Sequence, residues 1–197
     1  MTVTSTDPDR TSPGTVRLLG LSGSLRAASY NTSLLRAARH LAPEDVEVVL
    51  YPLHDLPFYN GDVEVGGLPR SVEALRTAID AADGLLIATP EYNRSTTAVL
   101  KNAIDWASRG RPSPLDRKPT ALLSAAGGSG GRWAQQHLRD SFVHNRVDVL
   151  DDAVQISRAW EHLEAGTLIT EDHRQAVAGL VVALRDHIRS SRQIQAA

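Results

Sequence analysis

The chain has 197 residues, 42% of them hydrophobic and 22% charged, with a formal net charge of -2. That suits one domain with a substantial core and is short for two. So small a charge makes no electrostatic case for nucleic acid or an anionic membrane, and with no Cys disulfides, thiolate catalysis and Cys-ligated zinc or iron–sulfur centres are excluded. The N-terminus is polar, carries Asp7, Pro8, Asp9 and Pro13, and lacks the apolar segment of a secretory signal. No apolar run approaches the ~20 residues that a membrane-spanning helix needs, so a cytoplasmic protein is expected. Residues 1–14 have the composition of a disordered tail, and 15–195 of one domain.

In chain order, Val16 to Leu21 is a short apolar strand that breaks into the polar loop Ser22 to Asn31. Leu34, Leu35, Ala37, Ala38 and Leu41 then recur at helical spacing from near Thr32, and the pattern stops at Ala42-Pro43. Val46 to Tyr51 is the second strand. Pro52 to Pro69, rich in Pro, Gly and Asp, is a loop, long enough to be expected over part of a site. Ser71 is placed to cap a helix with Val72, Leu75, Ala78 and Ile79 on one face. Gly84 to Thr89 is the most strand-like run, uniformly apolar as a central parallel strand is. Thr96 to Ser108 is helical, with Val99, Leu100, Ala103, Ile104 and Ala107 aligned. Arg109 to Lys118 is a basic loop and Pro119 to Ser124 the fourth strand. A Gly-rich turn follows, then a helix from Arg132 to Phe142 expected to bury Trp133, Ala134, Leu138 and Phe142. Val147 to Ile156 holds the fifth strand, and Ala176 to Ile188 closes the chain as a helix. Trp106 and Trp160 are expected in the core or at a subunit contact.

Strand and helix alternate five times, which predicts a parallel sheet with helices on both faces. In such sheets ligands bind beyond the carboxyl ends of the strands, where strand order reverses. The loops after strands one, three and four (22–31, 90–95 and 125–131) are also the chemically rich ones.

The first loop brings the hydroxyls of Ser22, Ser24 and Ser29, the amide of Asn31 and the guanidinium of Arg26 to the start of a helix. This is a donor set for a phosphate monoester, or a capped helix start after an ordinary turn. The second, Thr89 to Asn93, offers a rigid Pro and an aromatic ring suited to a flat heterocycle; a Pro-initiated turn with an exposed Tyr has the same residues. The third, Ser124 to Gly131, has four Gly, which allow close approach of a ligand or merely a flexible turn. Dinucleotide (G-x-G-x-x-G) and Walker (G-x-x-x-x-G-K-[ST]) fingerprints are absent. A low-molecular-weight phosphatase needs a Cys, and Thr89-Pro90 stand where a receiver domain has its Asp. His137 and His144 share a helical face but lack a third ligand, so no metal is expected. Lys101 and Asp105 form a surface pair.

Ser22-Gly23-Ser24-Leu25-Arg26 with Ser29 and Asn31, then Pro90-Glu91-Tyr92-Asn93, then Leu100-Lys101-Asn102-Ala103-Ile104-Asp105-Trp106 resemble the NADPH-dependent FMN reductases, which include quinone, azo-dye and chromate reductases. The resemblance runs from about Val16 to Val154. It implies a flavodoxin-like α/β three-layer fold, with a five-stranded parallel sheet in order 2-1-3-4-5. It further implies bound FMN, NADPH or NADH as hydride donor, small-molecule acceptors, and a homodimer or homotetramer. By the same resemblance Ser24, Leu25, Arg26, Ser29, Tyr30 and Asn31 hold the FMN phosphate and its surroundings. Pro90, Glu91, Tyr92 and Asn93 line the isoalloxazine, with Ser124 and Gly127 on its other border. The segment with Gly130, Gly131, Arg132, Gln135, His137, Leu138 and Arg139 also resembles the family's. Ala98 departs from the Gly found there in many members and is expected to tighten the helix start.

The resulting expectation is an enzyme that passes hydride from nicotinamide to flavin and on to flavin, quinone, azo dye or metal oxyanion, without a catalytic acid or base. The rival is a flavodoxin-type electron carrier, which a net charge of -2 and Arg residues near the site disfavour. Arg94, Arg109 and Arg111 are candidates for the adenosine 2′-phosphate, or belong to solvated loops or subunit salt bridges.

Overall fold

The structure is a computed structural model and describes residues 14–196. The tail expected over 1–14 therefore lies, apart from Gly14, outside the described residues. Five parallel strands, β1 (Val16–Ser22), β2 (Val46–Tyr51), β3 (Gly84–Ala88), β4 (Pro119–Ala125) and β5 (Asp148–Ile156), form one sheet in the order β2-β1-β3-β4-β5. The expected flavodoxin-like topology is observed. Strand identity follows from alternation, since successive side chains leave a strand on opposite faces. Leu18, Leu86, Ala121 and Leu123 join a core covered by α1 (Tyr30–Leu41) and α6 (Glu171–Ala196). Leu19, Leu21, Leu85, Ile87 and Leu122 enter a second core under α3 (Arg70–Ala81), α4 (Ala98–Ala107) and α5 (Arg132–His144). β3 is buried along its whole length, as its unbroken apolar run requires. Each fully buried Leu or Ile contributes about 1.5–3 kcal/mol.

Several helix starts differ from the sequence pattern. α1 begins at Tyr30, because Ser29 is the cap: its Oγ accepts from Thr32 N. α3 begins at Arg70, one residue before the expected Ser71 cap, and Pro69 supplies its carbonyl to Val72 N and Glu73 N instead of a side chain. α4 is capped by Thr97, whose Oγ1 accepts from Leu100 N. Ala98 is exposed at its first position.

The 52–69 segment is not all loop: α2 (Gly61–Val65) sits within it, capped by Asn60. Trp106 is fully buried, donates from Nε1 to Pro57 O at 2.8 Å and meets Tyr59 edge-on, so this segment packs against α4. Past β5 a 3-10 turn (Ala159–Glu161) and the hairpin β6 (Leu163–Glu164) and β7 (Thr167–Leu168) precede α6. Strands of two residues carry no periodicity for a sequence to display. α6 begins five residues before the expected Ala176 and ends well beyond Ile188. No helix among the described residues is long and apolar enough to cross a membrane.

Candidate functional site

Strand order reverses between β1 and β3, and a cleft opens at the carboxyl ends of these strands and β4. Its lining comes from four segments: Ser24, Arg26, Ser29, Tyr30 and Asn31; Pro90, Glu91 and Tyr92; Ala125, Ala126 and Gly127; Ala159 and Trp160. Nine of the twelve residues assigned by resemblance thus meet in one place.

The first loop is built from its own side chains. Ser22 Oγ and Thr32 Oγ1 share a hydrogen bond of 2.8 Å behind the loop. Ser24 Oγ accepts from Arg26 N (3.3 Å) and Ser29 Oγ from Thr32 N (3.2 Å). Both hydroxyls are therefore used as acceptors inside the loop, and the proton of each is left to donate outward. The first-turn amides of α1 have no intrahelical acceptor; Thr32 N and Ser33 N are taken by Ser29, which leaves those of Tyr30 and Asn31. With the exposed Arg26 guanidinium, which makes no ion pair among the described residues, these donors suit an anion bound at a helix start. Gly23 is required here. An added Cβ would lie 2.7 Å from Leu100 Cδ1 and 2.8 Å from Thr97 Oγ1.

Two side chains expected to touch the ligand also hold the loops to each other. The buried Asn31 amide donates from Nδ2 to Ala125 O (2.9 Å) and accepts from Ala125 N at Oδ1 (3.0 Å), which clamps the first loop to the third. The Glu91 carboxylate accepts from Ser129 Oγ (2.7 Å), Trp133 N (3.0 Å) and Ala134 N (3.4 Å). It caps α5 from across the cleft and places negative charge at the positive end of that helix. Thr97 Oγ1 donates to Gly23 O (2.8 Å) and Gly23 N to Ala88 O (2.9 Å). The cleft is fixed before any ligand enters, so binding costs little ordering.

The opposite wall suits a flat ring. Pro90 is buried and rigid, Tyr92 is 52% exposed at the rim, and Ala125 to Gly127 present backbone. A Cβ added to Gly127 would meet nothing within 4 Å, so open space lies in front of that backbone. Residues Arg158 to Glu161 are tied to the same wall by Arg158 N to Gly127 O (2.9 Å) and Ala159 N to Ala126 O (3.0 Å). This turn carries Trp160 to the mouth, 58% exposed. Trp160 is not in the core.

The remaining three assignments lie elsewhere. Ser124 is fully buried and donates to Gly130 O (2.5 Å) while accepting from Gln135 Nε2 (2.8 Å). Leu25 lines a neighbouring hollow with Tyr51 to His54. Asn93 occupies, with Arg94, the left-handed tip of the turn closed by Tyr92 and Ser95. Trp133, expected in the core, is 37% exposed beneath Arg94 and Arg132. Arg109 and Arg111 line a separate groove with Asp116 and Arg146.

Ala125, Ala126, Ala159 and Trp160 were missed by sequence reasoning. The end of the fourth strand marked the first two; no spacing marks the others.

The group implied by the motifs fits what is present. A phosphate monoester would find the hydroxyls, amides and guanidinium of the first loop as donors, and a tricyclic ring would have room against Pro90, Tyr92 and the open backbone at Gly127.

Comparison with known proteins agrees. A family model described as NADPH-dependent FMN reductase matches residues 16–161. A NAD(P)H-dependent FMN reductase of Pseudomonas aeruginosa is 43% identical over 180 residues, which is 90% of this chain and 97% of the relative. An NAD(P)H:quinone oxidoreductase of Solanum tuberosum is 39% identical over 180 residues, 86% of this chain and 91% of its own. Among solved structures, a flavoenzyme NAD(P)H:(acceptor) oxidoreductase from Paracoccus denitrificans superposes with a TM-score of 0.79 at 31% identity, covering 89% of this chain and 98% of that one. The matched region holds the whole sheet and every loop of the cleft, and the chain belongs to the NADPH-dependent FMN reductase family.

Proposed function

We propose that residues 15–195 form an FMN-binding domain that oxidises NAD(P)H and reduces a second small molecule: free flavin, a quinone, an azo dye or a metal oxyanion. The observation that carries this reading is the convergence of the outward donors of Ser24, Arg26 and Ser29 with Pro90, Tyr92 and Gly127 in one cleft. FMN bound there would supply the redox chemistry, two-electron transfer between reduced nicotinamide and the acceptor.

The chain's own residues bind and orient. Ser24, Arg26 and Ser29 neutralise the phosphate, whose charge-assisted bonds are the strong ones in the site. Asn31 and Glu91 fix the distance between the phosphate end and the ring end by holding three loops together. Pro90 and Tyr92 set the ring's edge and leave a face open to the nicotinamide. Trp160 narrows the mouth and shields the ring edge from water. No general acid or base is assigned, because hydride transfer does not require one.

The carrier reading is not favoured, because the relatives are reductases. We further propose a cytoplasmic location and a homodimer or homotetramer; sedimentation of the FMN-loaded protein tests the assembly, and a fully active monomer refutes it. The function is tested by the visible spectrum of the purified protein and by steady NAD(P)H oxidation with added FMN or a quinone. Flavin binding without nicotinamide consumption with any acceptor refutes the enzyme.

A further inference from the structure

Beside the flavin cleft lies a second one of about 590 Å³, lined by Glu91, Arg94, Ala126, Gly127, Gly128, Ser129, Arg132 and Trp133. The two share Glu91, Ala126 and Gly127, so a molecule with one end over the flavin ring reaches the second cleft with the other. The second cleft has its own chemistry. The Arg132 guanidinium lies 4.6 Å and that of Arg94 5.7 Å from the centre of the Trp133 ring. A guanidinium held over an aromatic ring still has its N–H donors available to a ligand. Among the described residues neither Arg94 nor Arg132 makes a side-chain hydrogen bond or ion pair.

The carboxylate in the cleft does not neutralise them. Glu91 is engaged with Ser129 Oγ and with the amides of Trp133 and Ala134. Those bonds also occupy the α5 amides, so the positive end of that helix is already satisfied and the unspent positive charge is that of the two side chains. Arg94 is held in place by its backbone. It sits at φ +58 at the tip of a turn closed by Tyr92 N to Ser95 O (3.1 Å) and Ser95 N to Tyr92 O (3.0 Å), a conformation that residues with a Cβ rarely adopt.

We propose that Arg94, Arg132 and Trp133 form the seat of the adenosine 2′-phosphate of NADPH and so set the preference for NADPH over NADH. The inference rests on the functional reading above. Two free guanidinium forks match a phosphate monoester carrying nearly two charges, and the part of Trp133 left exposed beside them, 37%, adds apolar surface that an adenosine uses and a small oxyanion acceptor does not. NADH lacks the monoester and leaves both forks unpaired.

The test is calorimetric titration of the FMN-loaded full chain with 2′,5′-ADP and with 5′-AMP, which differ by the 2′-phosphate. The protein is expected to bind 2′,5′-ADP at least about tenfold more tightly, the worth of one charge-assisted bond. The double variant Arg94→Ala/Arg132→Ala loses that difference, and Arg132→Lys retains part of it, keeping charge without the fork. In steady kinetics the ratio of kcat/KM for NADPH to that for NADH falls about 10–100-fold in the double variant. Flavin retention and circular dichroism report that the variant is folded; if it is not, the single variants Arg94→Ala and Arg132→Lys, each expected to reduce the difference, decide.

Equal binding of the two nucleotides by the unaltered protein overturns the proposal, as does a difference that survives in the variants. So does a variant of altered mass that still prefers 2′,5′-ADP, because the cluster is then a subunit contact. A protein that oxidises neither nicotinamide refutes the functional reading, yet the nucleotide titration still decides this inference separately.

Discussion

Asn31→Ala separates the framework of the site from its ligand contacts. The Asn31 side chain is 3% exposed and makes two bonds to the backbone of one residue, at 2.9 Å to Ala125 O and 3.0 Å from Ala125 N. Each bond contributes about 1 kcal/mol net, and a buried group stranded by its loss costs about 1–3 kcal/mol more. The variant is therefore expected to lose about 3 kcal/mol, which for a domain of this size lowers Tm by roughly 6–12 °C. A second effect reports on the site. FMN at 100 times its Kd stabilises the unaltered protein by ~2.7 kcal/mol. If the first and third loops separate and Kd rises tenfold, about half of that stabilisation disappears at the same FMN concentration. Thermal unfolding with and without FMN reads both. Asn31→Asp is expected to be no better than Asn31→Ala, because it sets a carboxylate oxygen against Ala125 O. A Tm within about 2 °C of the original, with the full FMN-induced shift, refutes the clamp.

Ser24→Ala combined with Arg26→Ala is expected to weaken FMN binding by about 2–4 kcal/mol through lost charge-assisted bonds; unchanged Kd from quenching of flavin fluorescence rules out the phosphate assignment. Gly131→Ala is expected to cost about 3–5 kcal/mol in urea unfolding, because Gly131 has φ +91 and its added Cβ would lie 2.4 Å from Ser124 Cβ; a loss under about 1 kcal/mol contradicts the geometry. His173 gives a pH prediction. Burial, helped by the neighbouring charge of His162 and opposed by Asp172, holds its imidazole below the ordinary value of 6.5. The unfolded chain then binds the proton more readily than the fold, so stability is lost as pH falls below 6.5 and through the lower folded value, and is regained above. His173→Gln should flatten that acid-side decline in Tm; an unaltered profile assigns the decline to other groups.

Much of this protein was written in local pattern. Alternating and continuous apolar runs specified five parallel strands and their helices, because side-chain period and burial are dictated by neighbours a few residues away. The excluded fingerprints and the residue types of 22–31 and 90–93 led to a phosphate and a flat ring. What the sequence could not show was how polar groups far apart in the chain are spent. Ser124 carries the hydroxyl of a ligand contact, yet Gly130 and Gln135 consume it. Glu91 caps a helix that begins some forty residues later, and Asn31 closes on Ala125, 94 positions away. Trp160 reaches the cleft only because the turn after β5 is bonded to Ala126 and Gly127, and Arg94 meets Arg132 only over Trp133. The sequence by itself determined the strands, the layers and which loops carry the chemistry, through short-range periodicity and residue type. Only the tertiary structure decided which donors are left free to meet a ligand, because that depends on partners brought together by the sheet rather than by the chain.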